Sequence, residues 1–180
     1  MIKIFLTGPP GSGKTTAVMK IYETLKLYGY KVGGFITLEE RVGGRRVGFK
    51  ILTLDTQETG VLAHVDFREG PRVGKYRVDV NTLERVGVAA IERALNNSDF
   101  IIVDEIGPME LTSKKFKEAI DKVLKSDKPA ILTIHYKLST TLSKDYKTGR
   151  ETILYMITHK NREGIPLVIW RELRRRIGGG

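Results

Sequence analysis

An apolar run, Ile2-Lys3-Ile4-Phe5-Leu6-Thr7, passes straight into Gly8-Pro9-Pro10-Gly11-Ser12-Gly13-Lys14-Thr15-Thr16. A short strand, a turn of the form G-x-x-x-x-G-K-[ST] and the amphipathic run Thr16–Leu27 form the strand–loop–helix order of a phosphate-binding loop. The backbone N–H groups of Gly11 to Thr15 are expected to wrap a β-phosphate. Gly8, Gly11 and Gly13 avoid side chains where the loop must curl or approach the ligand. Lys14 sets a point charge against the β- and γ-phosphates, and Thr15 offers a hydroxyl to Mg²⁺. The helix starting at Lys14 adds the positive end of its dipole. The ligand implied is a nucleoside triphosphate or a molecule of that shape.

Downstream, apolar runs alternate between strand and helix periods, which predicts an α/β fold: a mostly parallel central sheet with helices on both faces. A strand is predicted from Lys31 to Thr37. Gly43-Gly44, between Phe35–Val42 and Arg45–Leu54, marks a hairpin. Val61–Val65 and Tyr76–Val80 add short strands, an antiparallel extension spanning about 33–80 within one domain covering 1–180. Asn81 or Thr82 is expected to cap a helix carrying Leu83, Val86, Ala90 and Leu95, and Ser113 to cap a helix carrying Phe116, Ala119, Ile120, Val123 and Leu124. Phe100-Ile101-Ile102-Val103 reads as a buried strand ending in Asp104, and Pro129–Ile134 as another. Thr152–Ile157 is a predicted strand, Pro166 opens the terminal helix, and Gly178-Gly179-Gly180 reads as a frayed end.

Asp104 falls where phosphate-loop folds place a second metal-holding group, so Thr15 and Asp104 are the expected Mg²⁺ residues. Glu105 follows at once. Neighbours on a strand point to opposite faces, so Glu105 is expected to be free to polarise a water beyond the γ-phosphate. Gly107-Pro108 turns the chain back, which makes Glu110 the reserve base. Thr133 and His135, near the tip of the strand Ala130–Ile134, become γ-phosphate sensors if that strand lies between the other two.

The 180 residues carry 41% hydrophobic and 29% charged side chains, enough for a sizeable core and with no apolar stretch of membrane-spanning length. Zero cysteines exclude disulfides, thiolate metal sites and thiol catalysis. The first strand starts at residue 2, so no targeting peptide is expected before it, and a cytoplasmic setting with ATP and Mg²⁺ suits the chain. The formal charge of +10 suits a polyanionic ligand and leaves nucleic acid open. The basic excess is diffuse except for Arg171, Arg174, Arg175 and Arg176 in the last helix and Lys114, Lys115 and Lys117, spacings that read first as solvated helix faces, with no stacking aromatics interleaved among the arginines. Many Lys, Arg and Glu beside a single Gln57 lean towards a thermophilic source.

Four segments in one order, Gly8–Thr16, Gly43–Phe49, Val73-Gly74-Lys75-Tyr76 and Asp104-Glu105-Ile106-Gly107-Pro108-Met109-Glu110-Leu111, resemble the small nucleoside-triphosphatase family of archaea and thermophilic bacteria. That family is related to the human cancer-related nucleoside triphosphatase, and the resemblance extends to Asn161-Arg162. It implies a RecA-like fold and slow Mg²⁺-dependent hydrolysis of ATP, GTP, CTP and UTP with little base selectivity. It also implies Glu105 as the catalytic carboxylate, with Lys14.

Two other readings stay open. A small nucleotide or metabolite kinase also opens with this loop, and Arg45, Arg46, Arg68, Arg72 and Arg77 would serve as its lid; Glu105 beside the γ-phosphate argues against it, since it invites water. A nucleotide-gated module acting on nucleic acid, or a hydrolase stimulated by a protein activator that supplies an arginine, is the other. Arg162 is a candidate internal finger or nucleotide-base contact.

Overall fold

The structure, a computed structural model, describes residues 1–139 and 152–177. The terminal glycines Gly178 to Gly180 lie outside the described residues. Among the described residues, nine strands form one sheet: β1 (Lys3–Thr7), β2 (Val32–Val42), β3 (Arg45–Thr53), β4 (Thr59–His64), β5 (Arg72–Val73), β6 (Tyr76–Val78), β7 (Phe100–Ile106), β8 (Ala130–Ile134) and β9 (Thr152–Met156). They lie in the order β5-β6-β4-β3-β2-β7-β8-β1-β9.

The five strands from β2 to β9 in that order are parallel neighbours, with Ile4 opposite Ile131 on one side and Ile153 on the other. β1 and β8 are buried along their whole length, as near-continuous apolar runs require once helices cover both faces. The remaining pairs, β2–β3, β3–β4, β4–β6 and β5–β6, are antiparallel and form the expected extension. Gly43 and Gly44 join β2 to β3 with φ of 55° and 76°, the double positive φ that a two-residue hairpin turn of the favoured hand needs.

Helices α1 (Lys14–Leu27) and α5 (Ile165–Ile177) cover one face of the sheet. Val18, Ile21 and Leu25 of α1 meet Ile169 and Leu173 of α5 over Ile4 and Leu6. The other face is covered by α3 (Ala89–Asn97) and α4 (Lys114–Lys125), whose Ile91, Phe116 and Ile120 pack on Phe5, Val103 and Leu132. Burial of these side chains is worth about 1.5–3 kcal/mol each, so the sheet is held rigidly under the loops at its C-terminal edge.

Ser113 caps α4 as expected, its Oγ accepting from the Phe116 N–H at 3.1 Å. The earlier cap differs from the expected Asn81 or Thr82. Asp79 takes it, accepting from the N–H and hydroxyl of Thr82 at 3.0 and 2.7 Å, which ends β6 at Val78. A carboxylate satisfies orphan helix N–H groups as well as an amide or hydroxyl does, and here it binds two donors at once. A short helix α2 (Val80–Thr82) and a π-helical stretch (Leu83–Val88) then lead into α3. Among the described residues, no helix is long and apolar enough to cross a membrane.

Candidate active site

The phosphate loop leaves the C-terminal end of β1 and enters α1 through Gly13, whose φ of 102° no residue with a side chain adopts without strain. Gly8 packs so closely against the end of β9 that a Cβ there would lie 2.4 Å from the Ile157 carbonyl oxygen. Lys14 folds back over the loop, Nζ donating to the Gly8 oxygen at 2.8 Å. Ser12 Oγ and His135 Nδ1 are buried polar atoms with no hydrogen-bond partner among the described residues. Buried polar atoms are normally satisfied, so these two point to a ligand with oxygens to offer.

β8 lies between β1 and β7, which brings the tip of β7 opposite the loop. Asp104 is buried and held from two sides: Thr15 Oγ1 donates to Oδ2 at 2.7 Å, and Thr133 Oγ1 to Oδ1 at 2.5 Å. Thr37 Oγ1 of β2 donates to its backbone oxygen at 2.7 Å. Thr133 is thus committed to orienting the carboxylate; only His135 of the two expected sensors lines the cavity. Burial raises the Asp104 pKa even though the two hydroxyls and the Lys14 charge oppose it.

Simple alternation, which predicted Glu105 on the opposite face from Asp104, does not carry through the end of β7. Both line one cavity, and the pairing of β7 with β8 shifts register between Val103 and Ile106, so the two-residue repeat is broken at this point. Among the described residues no cation forms an ion pair with Glu105. Burial, then the Asp104 charge, pushes its pKa up to about 7, with Lys14 pulling the other way. Glu110 follows in a 3₁₀ turn (Glu110–Thr112) and is fully enclosed; burial and then the Glu105 charge raise its pKa well above the carboxylate range. A Cβ on Gly107 would sit 3.0 Å from an oxygen of each, which shows how closely the two carboxyls flank that turn. His135 is held neutral by burial and by the Lys14 charge.

Of the five arginines read as a lid, only Arg46 lines the cavity; Arg68 lines a separate shallow hollow near Phe67, while Arg72 and Arg77 bond to the Gly74 and Gly70 carbonyls. Arg162 lines the cavity at its other end, its side chain against Gly13 and its Nη1 3.2 Å from His159 Nδ1. In α5, Arg174 stacks near Trp170 and Tyr28, and Arg175 and Arg176 bond Glu172. Sequence reasoning missed Thr37, Leu38, Phe49 and Tyr76, which the antiparallel extension brings to the cavity. Their signal is only strand alternation, and that does not say which face looks at a ligand.

Strand order, loop and paired acids together place the molecule among the P-loop nucleotide-binding proteins of the α/β class. The family model described as NTPase matches residues 3–170. The chain belongs to this NTPase family and is by that membership a hydrolase. It is 53% identical over 163 residues to the nucleoside-triphosphatase THEP1 of Methanocaldococcus jannaschii, covering 90% of this chain and 91% of that one. The crystal structure of THEP1 from Aquifex aeolicus matches with a TM-score of 0.78 and 32% identity, over 93% of this chain and 96% of that chain. The solution structure of a human cancer-related nucleoside triphosphatase matches with the same TM-score and identity, over 97% and 98%.

Proposed function

We propose that this chain hydrolyses ATP, GTP, CTP and UTP to the diphosphate and phosphate, with Mg²⁺, slowly and with little preference for the base. The observation that carries the reading is Glu105: a carboxylate with no ion pair among the described residues, in the cavity that also holds Lys14 and the Thr15–Asp104 pair. Gly8, Pro9, Pro10, Gly11, Ser12, Gly13 and Thr16 shape the loop whose amides bind the phosphates. On nucleotide entry Lys14 turns from the Gly8 carbonyl to the β/γ-oxygens, an exchange of one acceptor for a charged one.

The donor set fits Mg²⁺: a hydroxyl and a carboxylate, both hard oxygens, already 2.7 Å apart. No cluster of three or more His, Asp or Glu able to hold a metal occurs among the described residues; Thr15 and Asp104 would hold the ion together with oxygens of the substrate's own phosphates. When bound, Mg²⁺ neutralises charge developing on the β- and γ-oxygens. Glu105 accepts a proton from the attacking water and aligns it with the γ-phosphorus; the site's walls exclude competing water. Asp104 stays oriented by Thr133 through the cycle.

Slow turnover follows from the cations available. Among the described residues, Arg46 and Arg162 are the arginines lining the cavity, and each is engaged by protein neighbours, so neither of them is free to face the transferring group. Weak selectivity agrees with relatives whose names specify no base. Nucleic acid or a protein activator acting in trans would raise the rate, and the whole of 1–180 acts as one domain, with about 33–80 as its antiparallel insertion; the single nine-stranded sheet supports this. The test is phosphate release from each of the four triphosphates with Mg²⁺ and with chelator. Release with Mg²⁺ at comparable kcat/KM for all four is expected; no release from any of them sinks the reading.

A further inference from the structure

Hydrolysis uses the cavity only as far as Glu105, yet the cavity, about 580 Å³, continues beyond it. Along the sheet its lining runs from Arg162 after β9, through the phosphate loop after β1, to Glu105 on β7, and on to Leu38 of β2, Phe49 of β3 and Val73 of β5. In the hydrolysis proposed above, the triphosphate would lie between the first and third of these points, which leaves the last three beyond Glu105 on the acceptor side.

We infer that this far chamber binds a nucleoside-class alcohol and that the γ-phosphoryl group is transferred to it, water being the substitute when it is absent. The inference rests on the hydrolytic reading, since it uses the same Glu105. The chamber is built rather than incidental. Arg46 Nε donates to Tyr76 Oη at 2.9 Å and its Nη1 to Glu39 Oε1 at 2.9 Å, while Glu39 Oε2 accepts from Arg41 at 2.7 Å. The guanidinium also lies 5.1 Å from the centre of the Phe49 ring, against which Tyr76 packs edge-on. Fixed in this way, Arg46 is pre-organised to donate to carbonyl acceptors. Leu38 keeps 39% of its surface exposed and offers an apolar wall with Val73 and Met109. A flat heterocycle with carbonyl groups satisfies both features.

The acceptor atom is an alcohol because Glu105 stands in the cavity between the phosphate loop and the chamber, and an alcohol brings a proton for its carboxylate to take. A fully ionised phosphate acceptor has no such proton. With an alcohol the step balances: the hydroxyl oxygen bonds to the γ-phosphorus and its proton passes to the Glu105 carboxylate. The bond from the γ-phosphorus to the bridging oxygen breaks, and the diphosphate leaves with that electron pair.

The test incubates the protein with Mg²⁺ and γ-labelled ATP, with adenosine, guanosine, cytidine or uridine as probes, and separates labelled nucleoside monophosphate from labelled phosphate. At least one nucleoside is expected to take label. Leu38→Trp, which fills the chamber, should keep phosphate release within about twofold and lower transfer at least about tenfold. Val73→Phe serves if the first variant does not fold. Phosphate release with no label on any nucleoside, and no effect of any of them on its rate, overturns the inference and leaves the hydrolase reading standing. A KM for ATP raised about tenfold in the filled variants also overturns it, because the chamber then holds ATP's own base. Label on a nucleoside with no phosphate release when nucleosides are omitted overturns the inference as stated, since water is then no substitute, and it sinks the hydrolase reading as well.

Discussion

Replacing Glu105 by Gln should stabilise the metal-free protein while nearly abolishing its activity, and the two effects share one cause. Its carboxyl is raised from the ordinary 4.5 to about 7 by burial and by the Asp104 charge. Between those values the folded chain binds more protons than the unfolded one, so stability falls as pH rises through the window. Above pH 7 the ionised form costs the fold up to about 3 kcal/mol, from 1.36 kcal/mol per pKa unit. Gln removes that charge but keeps some desolvation of its amide, so a gain of about 1–2 kcal/mol is expected at pH 8, or roughly 3–6 °C for a chain of this size. The gain should disappear at pH 5, where the native carboxyl is already neutral. It should also relax Glu110, whose pKa the Glu105 charge helps to raise.

The assay is thermal unfolding of wild type and variant in chelator at pH 5 and pH 8. His135, shifted the opposite way by burial, is present in both chains and cancels in the difference. With Mg²⁺ and ATP at pH 8, kcat should fall about 10²-fold or more while nucleotide binding survives. A variant that melts at or below wild type at pH 8 would refute the reasoning, since it would mean that Glu105 is held by a favourable partner.

Other perturbations separate the remaining roles. Glu110→Gln should leave kcat within about threefold; a 10²-fold loss there, with Glu105→Gln active, moves the base to Glu110. Lys14→Ala should weaken ATP binding and turnover together, read as a rise in Kd and a fall in kcat, because it removes the only loop side-chain cation. Thr133→Val deletes the 2.5 Å bond to Asp104 and should raise the Mg²⁺ concentration for half-maximal activity about tenfold. Gly13→Ala forces a side chain into φ 102° and within 3.2 Å of Arg162, and should cost about 1–3 kcal/mol in unfolding experiments.

Short-range chemistry made much of this molecule readable before any coordinates. The loop Gly8–Thr16 is contiguous, so every residue that wraps the phosphate is written in one stretch, and the Gly43-Gly44 hairpin depends on φ values that only those residues adopt easily. The buried run before Asp104 and the helix spacing of Phe116, Ile120 and Val123 mark core faces for the same local reason. A cap is a choice between near-equivalent polar residues, and that is why Asp79 took a role expected of its neighbours.

Relations across the sheet were a tertiary matter. That β8 separates β1 from β7, and so turns Thr133 onto Asp104, depends on strand order, which no local pattern encodes. That Asp104 and Glu105 line one cavity goes with a register shift within β7, where it pairs with β8, which strand alternation alone does not encode. The chamber beyond it is assembled from Leu38, Phe49 and Val73 only because β2, β3 and β5 join one sheet, bringing residues far apart in the chain to one cavity. Sequence determined which groups bind phosphate, because their geometry is local; packing determined what stands opposite them, because apolar burial over the whole sheet sets where distant strands end.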